Sequence, residues 1–270
     1  MQLANGNDRS SSQTDGGVYR VIDQNGIRYQ GKNPDNYVTF NGSESWRIIG
    51  VFEGSTIGLE SGKYYTKLLK SASIGSYYWD ETNVQNNWVN ASLNTYLRDT
   101  YLPSMDDDSK GMIAYATYYL GGAPSSAYNS YTSAQFYTAE RGSTGGYDSP
   151  TTVSHQNYLG LMYPSDYGYA MYAGSASAAC TTESTVIYAY RTAGSNCAAY
   201  DWLYSGSDEW TVTPHSGNSY YVFIVGSSGY VYDDSIVVNK CGVRPVLYLE
   251  ANVTVSGGSG TSDDPYTLSY

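Results

Sequence analysis

Three cysteines, two histidines and 25 acidic residues are the side chains of this 270-residue chain best suited to chemistry. His155 and His215 lie far apart, and no Cys/His group has zinc spacing. No glycine-rich phosphate loop sits between a strand and a helix, and no GxSxG elbow presents a nucleophile. The acid clusters Asp106–Asp108, Asp233–Asp234 and Asp263–Asp264 could ligate calcium. None fits the calcium loop that ends in a glutamate. The first and last suit a helix start and a turn. No catalytic residue, metal or cofactor is expected, and the chain is read as a non-enzyme.

Cys180 and Cys197 bracket a polar, Ser/Thr-rich stretch. Joined, they would close a loop worth ~3 kcal/mol in the chain-entropy model. Left apart, they would be two unrelated thiols. Cys241 is the odd one out, a buried small hydrophobe or a free thiol.

The surface chemistry is more telling. Fourteen basic residues against 25 acids leave a net charge of −11. Nucleic acid and anionic membrane surfaces are poor partners for that balance. Charged residues are only 14%, while Tyr numbers 32 and Phe 4. Tyr, Ser, Gly and Asn are the palette of antibody paratopes. Such a composition fits an exported protein that works through its surface. No stretch approaches the ~20 apolar residues of a membrane span. Residues 1–17 are polar and read as a disordered lead-in, with any targeting or anchoring segment upstream of this chain.

The elements that must position this surface follow from pattern. Residues 18–53 read as strands: "GVYRVI" and "NYVTF" alternate, "SWRIIGVFE" is a short apolar run bounded by turn residues, and 64–74 continues the pattern. Leu93, Tyr96, Leu97 and Tyr101 have helical spacing, with Asn90 or Ser92 as cap and Pro103 following the end. Residues 106–120 read as a short helix running into a strand, and 133–142 as a third helix stopped by Gly142. "YLGLMYPSDYGYAMYAG" reads as apolar segments around a Pro-Ser-Asp turn. From Trp210 onward the pattern is a hairpin series. The turn Gly226–Gly229 lies between two alternating runs. Residues 18–270 form a single α+β domain, with an antiparallel sheet, a few short helices and long loops.

The ordered segments "SWRIIGVFE", "SLNTYL", "MIAYATYYLGG", "LMYPSDYGYA", "DWLY", "EWTVTP", "SSGYVYDD", "GVRPVLYLE" and "GTSDDPYTL" resemble a bacterial and phage family of C-type-lectin-fold domains. That family is similar to the formylglycine-generating-enzyme-like branch of the fold. Some members resemble the variable proteins of diversity-generating retroelements. The resemblance implies a C-type-lectin-like scaffold and a cystine at Cys180 and Cys197. It also implies a ligand-facing surface over residues 210–242. Cys241 departs from the aromatic that relatives often carry before "GVRP". Formylglycine-generating chemistry would need a copper-binding cysteine pair, yet Pro245 and Val246 occupy the matching stretch beside Cys241. No Glu-Pro-Asn or Gln-Pro-Asp triplet supports calcium-dependent sugar binding.

Three readings of function follow. The favoured one is a receptor- or adhesin-like module on a bacterial cell surface or phage particle. It would bind a protein or glycan ligand, and could be the hypervariable target of a retroelement. Its expected ligand-binding residues are His215, Ser216, Asn218, Tyr221, Phe223, Tyr230, Tyr232, Asp233, Asp234 and Lys240. Strand alternation would put Tyr221, Phe223 and Val225 on one face, opposite Tyr220, Val222 and Ile224, and would let Tyr230 and Tyr232 share a face, opposite Val231. Trp210, Pro214, Arg244 and Pro245 are assigned to the scaffold, with Arg244 needing a buried carboxylate or carbonyl partner. The alternatives are a fixed subunit of a pilus or phage tail, attached to a larger assembly, and an enzyme.

Overall fold

The structure is a computed structural model and describes residues 18–19, 26–81, 85–173, 176–177, 179–180, 186–187, 196–236 and 239–270. The expected lead-in over residues 1–17 and most of the stretch between Cys180 and Cys197 lie outside them.

Two antiparallel-rich sheets share one core. The first holds β1 (Val18–Tyr19), β2 (Gly26–Tyr29), β3 (Tyr37–Phe40), β4 (Glu44–Glu53), β5 (Tyr64–Lys70) and β13 (Val246–Tyr248). Its long strand β4 carries the run "SWRIIGVFE", in which both faces are buried from Trp46 to Phe52. The second sheet runs β11 (Val231–Ser235), β10 (Tyr221–Val225), β9 (Glu209–Pro214), β12 (Cys241–Gly242) and β6 (Ser76–Tyr77). Two ribbons complete the strands: β7 (Ala116–Tyr119) with β8 (Ser154–Asn157), and β14 (Thr254–Gly257) with β15 (Thr267–Ser269). Trp46, Trp79, Trp88 and Trp210 are among the largest fully buried side chains.

The "GVRP" segment stitches the two sheets. Cys241–Gly242 belongs to the second sheet, and Val246 pairs with Leu69 in the first. Between them Arg244 donates to Glu209 Oε2 (Nε 3.0 Å) and to the Leu203 carbonyl at 2.6 Å. The buried arginine therefore has both kinds of partner that its apolar surroundings demand.

The helices are short. α1 (Ser92–Tyr96) continues through a π-turn over Leu97–Tyr101 into α2 (Leu102–Ser104). Pro103 lies inside this last turn instead of following it. Its ring cannot donate, and the wider π spacing just before it accommodates the missing i→i−4 bond. The helix cap is Ala91, without a side-chain bond, in place of Asn90 or Ser92. α3 (Asp107–Gly111) starts at the Asp106 cap, whose carboxylate accepts from Ser109 N–H. α4 (Ala127–Ser130) and α5 (Ser133–Glu140) follow, the latter with a Thr132/Gln135 capping box.

The Pro-Ser-Asp turn is a helix, α6 (Pro164–Ala170), with Pro164 in its first turn, where a missing N–H costs nothing. Every residue of α6 is buried. Asp166 accepts from Arg28 Nη1 (2.9 Å), Lys67 Nζ (2.5 Å) and Tyr163 N–H (3.0 Å). The two cations hold its carboxyl far below the usual range despite full burial.

A disulfide joins Cys180 to Cys197. Cys241 is free and buried, and desolvation pushes its thiol up to about 12. No helix among the described residues is long and apolar enough to cross a membrane.

Candidate functional site

The second sheet sorts the expected ligand residues in a way that the alternation pattern alone does not. β10 is an inner strand, with both edges paired to β9 and β11, and from Val222 to Val225 the side chains on both of its faces are buried. Val222, Phe223, Ile224 and Val225 are all 0% exposed. Phe223 is therefore a core residue, not a ligand contact. It lies parallel under the His215 ring (centroids 6.0 Å) and edge-on to Phe136 (5.4 Å).

β11 does alternate. Its register pairs Asp233 with Phe223, Asp234 with Val222 and Tyr232 with Ile224. Asp233 thus points to the side of buried Val231, and Asp234 to the side of Tyr232. The two acids cannot act as one cluster. Among the described residues no group of three His, Cys, Asp or Glu side chains could hold a metal ion.

The other residues fall into two patches. In the first, Tyr230 and Tyr232 lie 5.1 Å apart by ring centroid, and Tyr128 from α4 meets Tyr230 at 6.3 Å. Burial and the nearby Asp208 raise the Tyr232 phenol above its ordinary range. A cleft of about 580 Å³ opens beside the hairpin tip, lined by Ser73, Ser76, Ser205, Asp208, Ser227 and Lys240, among others. Lys240 is exposed, with its ammonium 4.7 Å from the Tyr78 ring.

The second patch is more elaborately built, and much of it was invisible in the sequence. The loop from His215 to Tyr220 is held from beneath by Asn86. Its carboxamide nitrogen donates to the carbonyls of His215 (2.7 Å), Asn218 (2.9 Å) and Tyr221 (3.0 Å). Two N–H groups thus serve three acceptors. Gly146 packs directly on Asn86: a Cβ there would lie 2.6 Å from both Asn86 oxygens. The neighbouring segment is tied on by Tyr147 N–H to the His215 carbonyl (3.2 Å). A third segment joins through Ser216 N–H to the Ala123 carbonyl (2.9 Å).

Within the loop, Asn218 Oδ1 accepts from Tyr220 N–H (2.9 Å), a local Asx turn. His215 Nδ1 accepts from Gly217 N–H (2.9 Å), which requires that nitrogen to be unprotonated. Burial lowers the His215 pKa, and Asp233, 3.9 Å from Nε2, opposes the shift. The imidazole is neutral at neutral pH and acts as a structural acceptor.

What this patch presents outward is aromatic and polar. Tyr147 is 57% exposed and Tyr220 51%, among the most exposed large hydrophobic side chains described. Asp148 and Gly217 are exposed beside them, and Ser216, Asn218 and Tyr221 are half-buried. Sequence reasoning found the loop but passed over Asn86 and Tyr147, and it left Tyr220 out of the expected binding residues. No local pattern links Asn86 to His215 across the chain. Tyr220 was placed on a strand, although it ends the loop one residue before β10.

The chain belongs to the family described as a domain of unknown function, DUF6273, whose model matches residues 65–251. That span contains the second sheet and every loop of the patch around Asn86. No curated protein and no solved structure matches the chain.

Proposed function

We propose that this protein is a ligand-binding module, receptor- or adhesin-like, displayed outside the cytoplasm of a bacterium or on a phage particle. It contacts its ligand through the loop face formed by residues 144–149 and 215–221. The observation that carries this reading is the pairing of a rigid base with exposed tyrosines. Asn86, Gly146 and the His215 ring fix the loop backbone, while Tyr147 and Tyr220 are left in solvent. Tyrosine supplies large contact area with few torsions to freeze, and preorganised loops reduce the entropy lost on binding. A surface tyrosine that serves only to cover core would be half-buried, as Tyr232 is.

The disulfide supports an oxidising compartment, where such bonds persist. On the C-type-lectin-fold reading, residues 210–242 are the diversified segment of a retroelement target. The base residues then stay constant, and Ser216, Asn218 and Tyr220 vary.

Two measurements test this. Fluorescently labelled protein is titrated onto a panel of bacterial and host cells. Binding that survives Tyr64→Ser, a remote exposed tyrosine, but is lost in Tyr147→Ser/Tyr220→Ser supports the face. Equal loss in both variants removes it. Sequencing the coding region for residues 210–242 across a source population tests the diversification: substitutions confined to adenine positions support it, and a uniform segment rejects it.

A further inference from the structure

The charge around the loop face is one-sided. Between Gly142 and Asn239 the chain has a single lysine or arginine, Arg191, but eight aspartates and glutamates. Arg191 lies outside the described residues. Of the acids, Asp166, Asp201 and Glu209 are buried in the scaffold. Asp148 is exposed next to Tyr147, and Asp233 is half-buried beneath the loop that carries Tyr220. None of the described residues on the segments 144–149 and 215–221 is a cation. Elsewhere the protein pairs its charges locally, as in Lys63 with Glu60, Lys70 with Glu44 and Lys110 with Asp107. The face therefore combines exposed π-systems with two carboxylates, Asp148 and Asp233, that form no ion pair with a lysine or arginine among the described residues.

We infer that the partner bound here is a polypeptide segment that presents lysine or arginine side chains to Tyr147 and Tyr220. This inference rests on the recognition face proposed above and gives its ligand a chemical class. A guanidinium or ammonium gains from a tyrosine ring face and from a nearby carboxylate at once. Partial burial of Asp233 makes its field less screened than that of a fully solvated acid. A polyanion is repelled by the same acids, so nucleic acid is the opposite of what fits. Two tyrosines on separate loops, rimmed by Ser216 and Asn218, have the aromatic centre and polar margin of protein–protein interfaces. The uncompensated charge also steers a cationic partner toward the face during diffusion.

The test is a random peptide library displayed on phage and panned against the intact protein. Clones are then sorted by whether they bind Tyr147→Ser/Tyr220→Ser, after that variant has been shown to keep the wild-type melting temperature. The expected result is a set of face-dependent clones in which Lys and Arg are enriched about twofold or more over the unselected library. Their binding should weaken about threefold or more between ~50 and ~300 mM salt. Face-dependent clones without that enrichment would overturn the cationic partner and leave the recognition face standing. Clones that bind wild type and variant alike would overturn both.

Discussion

Asn86 and His215 are 129 positions apart in the chain, and the Asn86 carboxamide donates to the His215 carbonyl at 2.7 Å. That bond, with its companions to Asn218 and Tyr221, makes one loop of the second sheet rigid. Removing it should be felt locally and globally. Asn86→Ala leaves the His215 and Tyr221 carbonyls with their remaining donors, Tyr147 N–H and His215 N–H, but takes from the Asn218 carbonyl its Asn86 donor, at a cost of about 1–3 kcal/mol before water enters. We expect a lower denaturation midpoint and faster amide exchange over residues 216–221. Asn86→Asp should be worse than alanine, because a carboxylate would face three carbonyl oxygens. An aspartate variant as stable as wild type would show that the fork is not what holds the loop.

Gly146 gives an independent handle on the same base. Its φ is not in the left-handed region, so alanine is not excluded by the backbone. The obstacle is the Asn86 carboxamide and carbonyl, which an added Cβ would overlap. Gly146→Ala is expected to reproduce the exchange pattern of Asn86→Ala. A neutral outcome would mean that the two segments do not pack as described.

Acid should release the loop. His215 Nδ1 accepts from Gly217 N–H only while unprotonated, and the His215 pKa lies below the ordinary histidine value. Its folded-state pKa being depressed, the stability it contributes is present above the unfolded value of ~6.5 and is lost as pH falls through the folded one. Nitrogen NMR of His215 and the Gly217 amide should titrate together, at a pH below that of a model histidine. A Gly217 amide indifferent to pH would contradict the assignment.

Asp201 offers a stability gain. It is buried, its Oδ1 accepts from Leu203 N–H, and its Oδ2 has no partner among the described residues. Burial raises its pKa well above the usual carboxyl range. Its contribution is therefore fully present below the unfolded pKa of ~3.9 and is lost as pH rises through the folded value. Asp201→Asn keeps the shape and removes the ionisation. The melting temperature at neutral pH should rise, and the difference from wild type should shrink toward acid. A variant less stable at every pH would show that the carboxylate has a charged partner.

The cystine is checked by mass. Under denaturing, non-reducing conditions one thiol, Cys241, should be alkylated, and three after reduction. Reduction should cost up to ~3 kcal/mol in the chain-entropy picture.

Much of the scaffold was legible because it is local. The strands over residues 26–53, the helix near residue 93, the Gly226–Gly229 turn and the partner demanded by Arg244 all follow from short-range pattern or burial. The misreadings share a cause. Pro164 and Asp166 look like turn residues until Lys67 and Arg28 arrive from the first sheet to pair the acid. Phe223 looks half-exposed until Phe136 and His215 cover its face. Asn86 carries no signal at all, since its role exists only once loops distant in sequence converge on it. Long-range assembly decides which residues of an alternating strand see solvent, and composition cannot report that.

The most direct test of the recognition face is a footprint obtained without presupposing it. A binder is selected against the wild-type protein alone, and amide hydrogen exchange is compared with and without it. Added protection is expected over residues 144–149 and 215–221, with the rest of the sheet unchanged. Protection confined to the cleft beside Lys240, or to the first sheet, would contradict a face centred on Tyr147 and Tyr220.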